Sequence, residues 1–362
     1  VIVSRPVAAG AKSSAQEHHP RHARGDAKRH LKRSALELAA LVVVAYLVLK
    51  LIPALKQALR SLEHVSWEWV LGAIVLEVLS EFGFVVAWRA IVDPQNLLER
   101  DSSGRSMDAD VAWAQLGGGL LLPGGAWGGV GVGAWIMHRF GMPTKLTAER
   151  EFNLQFLNTA VDALALIVFG VGLATSMFAG ARHLLLAVLP AAVAASGIAA
   201  VLLIAPRASR HAERLAPRHP KIAGAITTIA NAVADTRRLM FHRGSWRSLI
   251  GVLAYLGFDV LVLWTAFFAI HAHPAPGFAI VTMAYIIGAI GGSIPLPASI
   301  GTIGGMSAML IVYSVSRDAA IAAVLLHQAI GLLVPLTGGG IAYAMLLRRL
   351  PTIRSGAQDP PG

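Results

Sequence analysis

The chain has 362 residues, 55% of them hydrophobic and only 14% charged. A soluble domain carries about 25% charged residues, so a water-soluble globular fold is excluded and an integral membrane protein is indicated. The net charge of +11 would suggest nucleic acid in a soluble chain, but here the basic residues gather at the ends of apolar segments, which points to membrane topology and the anionic inner leaflet, with no nucleic-acid partner.

In chain order, residues 1–34 are polar and rich in Arg, His and Lys. They lack the apolar core of a signal peptide and read as a disordered basic cytoplasmic tail. A solvated tail accounts for His18, His19 and His22 better than a metal site does. A polytopic membrane domain is expected over 35–350, followed by a short tail at 351–362. A membrane helix needs about 20 apolar residues, which predicts spans near 36–52, 67–90, 152–177, 183–204, 247–270 and 319–347. The soluble segments are then 91–110, 138–151 and the basic stretch 205–246. In that stretch Ile222, Ile226, Ile229, Ala230 and Val233 allow an amphipathic helix on the inner leaflet or an ordinary loop. The chain has no cysteine, so disulfides and thiolate metal sites are ruled out, and single cysteines at Thr147, Pro217 and Ala275 would report sidedness.

Two further apolar regions, 111–137 and 277–314, are broken by glycine and proline. The first contains Pro123, Gly124, Gly125, Gly128 and Gly129; the second contains Pro295, Pro297, Gly301, Gly304 and Gly305. Interrupted apolar segments at matching places in two halves point to a transporter-type binding site. Irregular backbone is tolerated at membrane depth only where protein or a wet cavity satisfies its polar groups. The tail carries eight Lys/Arg (Arg5, Lys12, Arg21, Arg24, Lys28, Arg29, Lys32, Arg33), and 205–247 carries nine (Arg207, Arg210, Arg214, Arg218, Lys221, Arg237, Arg238, Arg243, Arg247). Both should be cytoplasmic. A full crossing at 111–137 would put 205–247 outside, whereas a re-entrant hairpin entered from the cytoplasm keeps it inside. Loop 271–276 has no Lys or Arg, as an external loop should, and a second hairpin entered from outside returns Arg348, Arg349 and Arg354 to the cytoplasm. The competing arrangement makes both regions full spans with glycine-rich packing faces. The expected fold is therefore an all-α membrane protein with six transmembrane helices and two re-entrant hairpins. It is an inverted repeat of halves 36–177 and 183–347, with both termini on the cytoplasmic side of the cell (inner) membrane.

The run Leu122-Pro123-Gly124-Gly125, the Gly-rich helix after it, His138-Arg139-Phe140-Gly141 and the apolar helix from Glu151 resemble the transmembrane domain of lysylphosphatidylglycerol synthases and of stand-alone, flippase-like proteins related to it. Ile294-Pro295-Leu296-Pro297 through Gly301 and Gly304-Gly305, then Ala322 to Ile330, are similar to the second signature of the same group, so the resemblance covers roughly 36–350. In two-domain relatives a soluble domain makes aminoacyl-phosphatidylglycerol and the membrane domain moves it to the outer leaflet. The chain ends at Gly362, soon after its last expected span, so the resemblance implies lipid translocation without the aminoacyltransferase. Related domains also occur beside lipid-linked sugar and terpenoid lipid pathways. Relatives often carry an acidic residue within the second Gly motif and then a Leu-Tyr-Arg-like triplet. Here the motif offers Gly304-Gly305 and the triplet reads Leu326-His327-Gln328, which weakens direct transfer of headgroup specificity.

Ionisable groups inside a bilayer cost about 2.5–3.5 kcal/mol each on insertion scales and are functional candidates by default. Glu77 and Glu81 lie one turn apart on 67–90, and Asn158 and Asp162 one turn apart on 152–177. Asp259 is mid-span on 247–270, and His327 and Gln328 lie on 319–347. Equivalent spans of the two halves thus carry midplane polar groups, as expected around one wet groove for a lipid headgroup with its acyl chains left in the bilayer. The carboxylates favour a cationic or zwitterionic headgroup; glycine-lined hairpin tips offer amides to a phosphate. The plain structural alternative is mutual satisfaction, Asp162 with Asn158 and Glu81 with Arg89, with His327 a core histidine or a proton relay. Trp67, Trp69, Trp88, Trp113, Trp135 and Trp246 near span ends read as an interfacial belt.

The expected function is translocation of a polar or charged phospholipid or lipid-linked molecule between leaflets, without catalytic residues, cofactor or metal. A scaffold subunit of a lipid or glycolipid synthase and an ion-coupled solute transporter are the alternatives. Membrane lipids and a lipid-synthesis enzyme are the expected partners, and glycine-rich faces would allow a homodimer.

Overall fold

The structure, a computed structural model, describes residues 65–96, 98, 107–121, 126–178, 184–215, 246–290 and 300–356, with 219, 223–224, 226–227 and 230 between them. The basic tail 1–34, the span expected at 36–52, most of 216–245, and Pro123, Gly124, Gly125, Pro295 and Pro297 lie outside the described residues. Among the described residues the fold is helical throughout. The helices are α1 Trp67–Ile91, α2 Asp108–Leu121, α3 Ala126–Arg139, α4 Thr144–Ala174, α5 Leu184–Leu215, α6 Trp246–Ala269, α7 Phe278–Ile290, α8 Ile300–Val312 and α9 Arg317–Gly356.

Four of these are long and apolar enough to cross a membrane: α1, α4, α6 and α9 over Arg317–Arg348. Their outer surfaces agree. On α1, Leu71, Val75, Leu79, Phe82 and Val86 are exposed at helical spacing, an apolar stripe that water would not tolerate at this size but lipid does. The chain is therefore a multi-pass membrane protein. α5 covers the span expected at 183–204, although its apolar stretch, Leu185–Ala200, is shorter than a full crossing. α4 starts at Thr144, inside the segment expected to be soluble. Extended Pro143 precedes it, and Thr147, Glu151 and Leu154 are buried on one face. The opposite face of these turns carries Lys145 and Glu149, which hid the helix from a hydropathy window. Thr147 is 1% exposed, so Lys145 is the better sidedness probe.

Each Gly/Pro-broken region forms a pair of short helices packed antiparallel. In the first, Gly129 lies against the carbonyl of Gln115 and the backbone of Gly119, and Gly118 against Val132. In the second, Gly288 lies against the backbone of Met306, and Gly305 against Gly288. The arms have 14 residues each in the first pair and 13 each in the second, or about 20 Å at 1.5 Å per residue. α3 and α8 end alike. Met142 N–H bonds to the Met137 carbonyl and Val315 N–H to the Leu310 carbonyl, around Gly141 and Ser314 in left-handed backbone, the Schellman closure of a helix end.

Both open ends of the first hairpin lie where α1 ends and α4 begins. Arg89 Nε is 3.2 Å from Asp108 Oδ2, Arg150 Nη1 donates to the Val92 carbonyl, and Met142, Val92 and Leu98 share a core with Trp88, Val111, Met137 and Leu154. Both open ends of the second hairpin lie where α4 ends. Phe278 packs on Phe169, and the Tyr313 hydroxyl donates to the Leu186 carbonyl at the start of α5. A second core there joins Leu263, Phe267, Met283, Leu310 and Val324. The open ends of the two helix pairs thus lie at opposite ends of α4, whose 31 residues span about 46 Å.

α1 and α6 run antiparallel along their whole length, from Ser66 N–H on the Ala269 carbonyl to Gly83 against Gly251. A Cβ on Gly83 would lie 2.7 Å from the Tyr255 nitrogen, and one on Gly251 would lie 2.5 Å from the Ala87 nitrogen. α2 packs on α9, with Gly117 at the Pro335 carbonyl and Gly339, and Gly338 under the Trp113 ring. Leu346, near the end of α9, reaches the first core, whereas Ala320 and Val324 near its start are in the second. α9 therefore runs opposite to α4. The first-hairpin arm α2 packs on α9, and the second-hairpin arm α7 packs on α4; each hairpin leans on the long helix of the other half.

Overpacking a tight helix contact costs about 1–3 kcal/mol. Gly251→Val is accordingly expected to lower the unfolding midpoint in detergent, whereas Gly72→Ala, where an added Cβ meets nothing within 4 Å, should not. Thermal unfolding followed by size-exclusion fluorescence checks both.

Candidate functional site

A polar joint lies midway along the helices where α1, α6, α7 and α9 meet. His327 Nε2 is 2.7 Å from Asp259 Oδ1, and the Tyr285 hydroxyl donates to Asp259 Oδ2. The Tyr285 and His327 rings meet edge-to-face at 5.8 Å, which fixes the imidazole plane. Gln328 Nε2 is 3.5 Å from His327 Nδ1. One turn beyond His327, a Cβ on Gly331 would be 3.5 Å from Glu77 Oε1, so the Glu77 carboxyl sits against α9. Glycine at 331 gives that carboxyl room. Pro335, four residues on, offers no N–H to the Gly331 carbonyl. The Ser80 hydroxyl donates to the Tyr255 carbonyl at 2.7 Å, fastening α1 to α6 beside the joint.

Glu77 and Glu81 are 4% and 3% exposed, and each leaves its Oε2 without a hydrogen-bond partner among the described residues. Asn158 Oδ1 shares that condition. The Asp259 charge reaches Glu77, Glu81 and Asp162. Four carboxyl groups from α1, α4 and α6 thus share one electrostatic environment. Among the described residues no Lys or Arg occupies the middle of α1, α4, α6 or α9. Several ionised carboxylates in low dielectric without a counter-charge are prohibitive, so this group is suited to holding a cation or protons.

The structure brings together Asp259, His327 and Gln328 by direct contact, and Glu77, Glu81 and Asp162 by charge. Among the hairpin glycines, Gly129 and Gly305 are taken up by contact with the other arm, while an added Cβ at Gly304 meets nothing within 4 Å. Gly128 and Gly301 are partly buried at the starts of α3 and α8. Arg89 does not pair with Glu81. Eight residues put the two about 12 Å apart along the helix, and Arg89, in the last turn, bonds instead to Asp108.

A second buried network was not foreseen. Trp88 Nε1 donates to Gln115 Oε1 at 2.9 Å and to Glu151 Oε1 at 3.1 Å, and Gln115 Nε2 donates to Glu151 Oε2 at 2.9 Å. It ties α1, the first hairpin arm and α4 together. Trp88 is therefore a core residue with no exposure, not part of an interfacial belt. Trp113 is also packed inward, on Gly338 and Phe82. Trp67, Trp69, Trp135 and Trp246 are exposed, as a belt requires. Tyr285 was missed as well. One signal existed: Gln115 and Tyr285 are each the eighth residue of the entering arm of their hairpin, each a lone polar group among apolar neighbours.

A family model described as "Lysylphosphatidylglycerol synthase TM region" matches residues 37–339, most of the chain. No curated protein matches it.

Leaving a buried polar group unpaired costs about 1–3 kcal/mol. Gln115→Leu, which removes the donor to Glu151 Oε2, should destabilise by that amount in detergent unfolding, and the added change Glu151→Leu should recover part of it. Equal stability of Gln115→Leu and the unaltered protein would show that the network contributes nothing.

Proposed function

From the fact that the chain belongs to the lysylphosphatidylglycerol synthase TM region family, we propose that it translocates a polar or charged lipid between the two leaflets of the cytoplasmic membrane. The observation that carries the reading is the set of carboxyls at mid-helix, buried Glu77 and Glu81 and half-buried Asp259, with one oxygen of each glutamate lacking any partner among the described residues. A cationic or zwitterionic headgroup would supply the missing positive charge and donors. Its acyl chains would remain against the exposed apolar faces of the bundle. The region matched is the membrane region of the family, and the function proposed here for it is movement of a lipid, with no bond-making chemistry.

In this reading the two helix pairs are re-entrant hairpins. Arms of about 20 Å reach past the middle of an apolar core of about 30 Å without spanning it. The opposite entry of the two hairpins along α4 and the antiparallel course of α1 and α6 support an inverted repeat. Such a repeat places the substrate site near the midplane, between elements that can rock against one another. The start of α4 would face the cytoplasm, with Arg139, Lys145 and Arg150, and the loop after α6 would face outside. Single cysteines at Lys145 and His273, both exposed, should be labelled from opposite sides of intact cells or spheroplasts. Labelling of both from the same side would overturn this arrangement.

The decisive assay is leaflet exchange in proteoliposomes with labelled cationic, anionic and glycosylated lipids. Exchange of one class is expected, reduced at least tenfold by Glu77→Gln or Asp162→Asn in folded protein. Full activity in both variants would remove the carboxyl group from the mechanism. A folded protein that moves no class, and depends in cells on the segment 205–246, would favour a scaffold for a lipid-synthesis enzyme.

A further inference from the structure

We propose that the joint also binds a proton, at His327 Nδ1, and releases it when a cationic ligand enters, so that lipid movement in one direction is coupled to proton movement in the other. The ligand rests on the translocation reading above; the proton site does not.

The contacts distinguish the two ring nitrogens. Both oxygens of Asp259 accept, Oδ2 from the Tyr285 hydroxyl and Oδ1 from His327 Nε2. In the tautomer with its hydrogen on Nε2, His327 donates to Asp259 and Nδ1 is left with a lone pair. The Gln328 amide lies beside Nδ1, its nitrogen 3.5 Å away at the outer limit of a hydrogen bond, and such an amide can offer either a donor or an acceptor to that atom. Nδ1 is then the basic atom of a pair whose other member is an acid. A proton arriving there forms an imidazolium held by Asp259, and the Gln328 amide must turn its oxygen inward to accept from the new N–H. When the proton leaves, the amide turns back. No other bond is made or broken.

The surroundings decide what that proton competes with. The Asp259 charge reaches Glu77 and Glu81 on α1, Asp162 on α4, Tyr285 on α7 and Tyr255 on α6. Among the described residues α8 brings no titratable side chain, and α2 brings Asp108 and Asp110 only in its first turn, with Asp108 on Arg89. Among the described residues every ionisable neighbour is thus acidic or a phenol. The unpartnered oxygens of Glu77 and Glu81, on residues more than nine-tenths buried, point to a positive occupant. A cationic headgroup beside Asp259 and an imidazolium at His327 draw on the same negative charge and repel each other across a medium of low dielectric. Occupancy by one lowers occupancy by the other, which is the condition for exchange.

The test uses proteoliposomes of phosphatidylcholine and phosphatidylglycerol with a lumenal pH dye and acyl-labelled ethylphosphatidylcholine, a permanently cationic lipid with no proton of its own. With an acidic lumen, inward movement of the probe should rise several-fold, and the lumenal pH should rise faster when the probe is present. In folded His327→Gln both effects should vanish. Gln328→Leu keeps the imidazole and its bond to Asp259, so it should shift the pH midpoint of probe movement without abolishing coupling, a displacement that loss of packing alone would not produce. Probe movement insensitive to the gradient, or coupling that survives in His327→Gln, overturns the proposal and leaves translocation standing. A His327-dependent proton leak without any lipid movement supports the proton site and overturns translocation instead.

Discussion

The contact of α1 with α6 at Gly83 and Gly251 sets the distance between the two halves. Both residues lack a Cβ, and one added at either would fall within 3 Å of the opposite backbone. Helices in lipid gain nothing from excluding water from each other, so close backbone approach is what favours their association. This approach holds two spans antiparallel from Ser66 to Ala87 on one side and from Ala269 to Gly251 on the other. Glu77 and Glu81 come with α1 and Asp259 with α6. The electrostatic environment at the centre of the protein is thus a consequence of two glycines, since a wider separation would let lipid or other side chains between the carboxyls.

Polar contacts then fasten the hairpins to this frame. The first arm of each hairpin places one polar residue at its eighth position, Gln115 or Tyr285, and each bonds to a carboxyl, that of buried Glu151 or half-buried Asp259. The two joints differ in chemistry. Trp88 and Gln115 satisfy both oxygens of Glu151 with neutral donors, which makes that joint a fixed brace. The Asp259 joint includes a histidine, and its neighbours Glu77 and Glu81 keep oxygens without partners among the described residues. One joint is closed on itself, and the other leaves acceptors unused beside it. The two joints thus differ most in chemistry at Asp259, and it is there that the proposed exchange of lipid and proton is located.

Apolar length alone marks the four long helices, because lipid requires a continuous run of apolar residues and that is a local property of the chain. The breaks in 111–137 and 277–314 were legible for the same reason, since glycine and proline act on their own backbone. The candidate site was half legible. Glu77, Glu81, Asp162, Asp259 and His327 stand out as charges in apolar segments. Tyr285, Gln115 and Glu151 do not, because a tyrosine or glutamine in a short apolar helix, or a glutamate near a helix start, is ordinary until its partners are known. The beginning of α4 was misread because its charged face lies next to its buried one, and a hydropathy average mixes the two. Trp88 was misread because tryptophan near a span end suits either an interface or a core.

What the sequence by itself determined is the helical, membrane-embedded class of the protein, the places where its helices must break, and which residues carry charge at depth. Each follows from the free energy of placing a given residue in lipid, which depends on that residue and its immediate neighbours. Only the tertiary structure decided that Arg89 serves Asp108, that Trp88 and Gln115 serve Glu151, and that Asp259 gathers Tyr285 and His327 from helices 26 and 68 residues away. Those pairings depend on which faces of distant helices meet and how closely. Packing sets that closeness through glycines whose effect cannot be read until the opposing backbone is known.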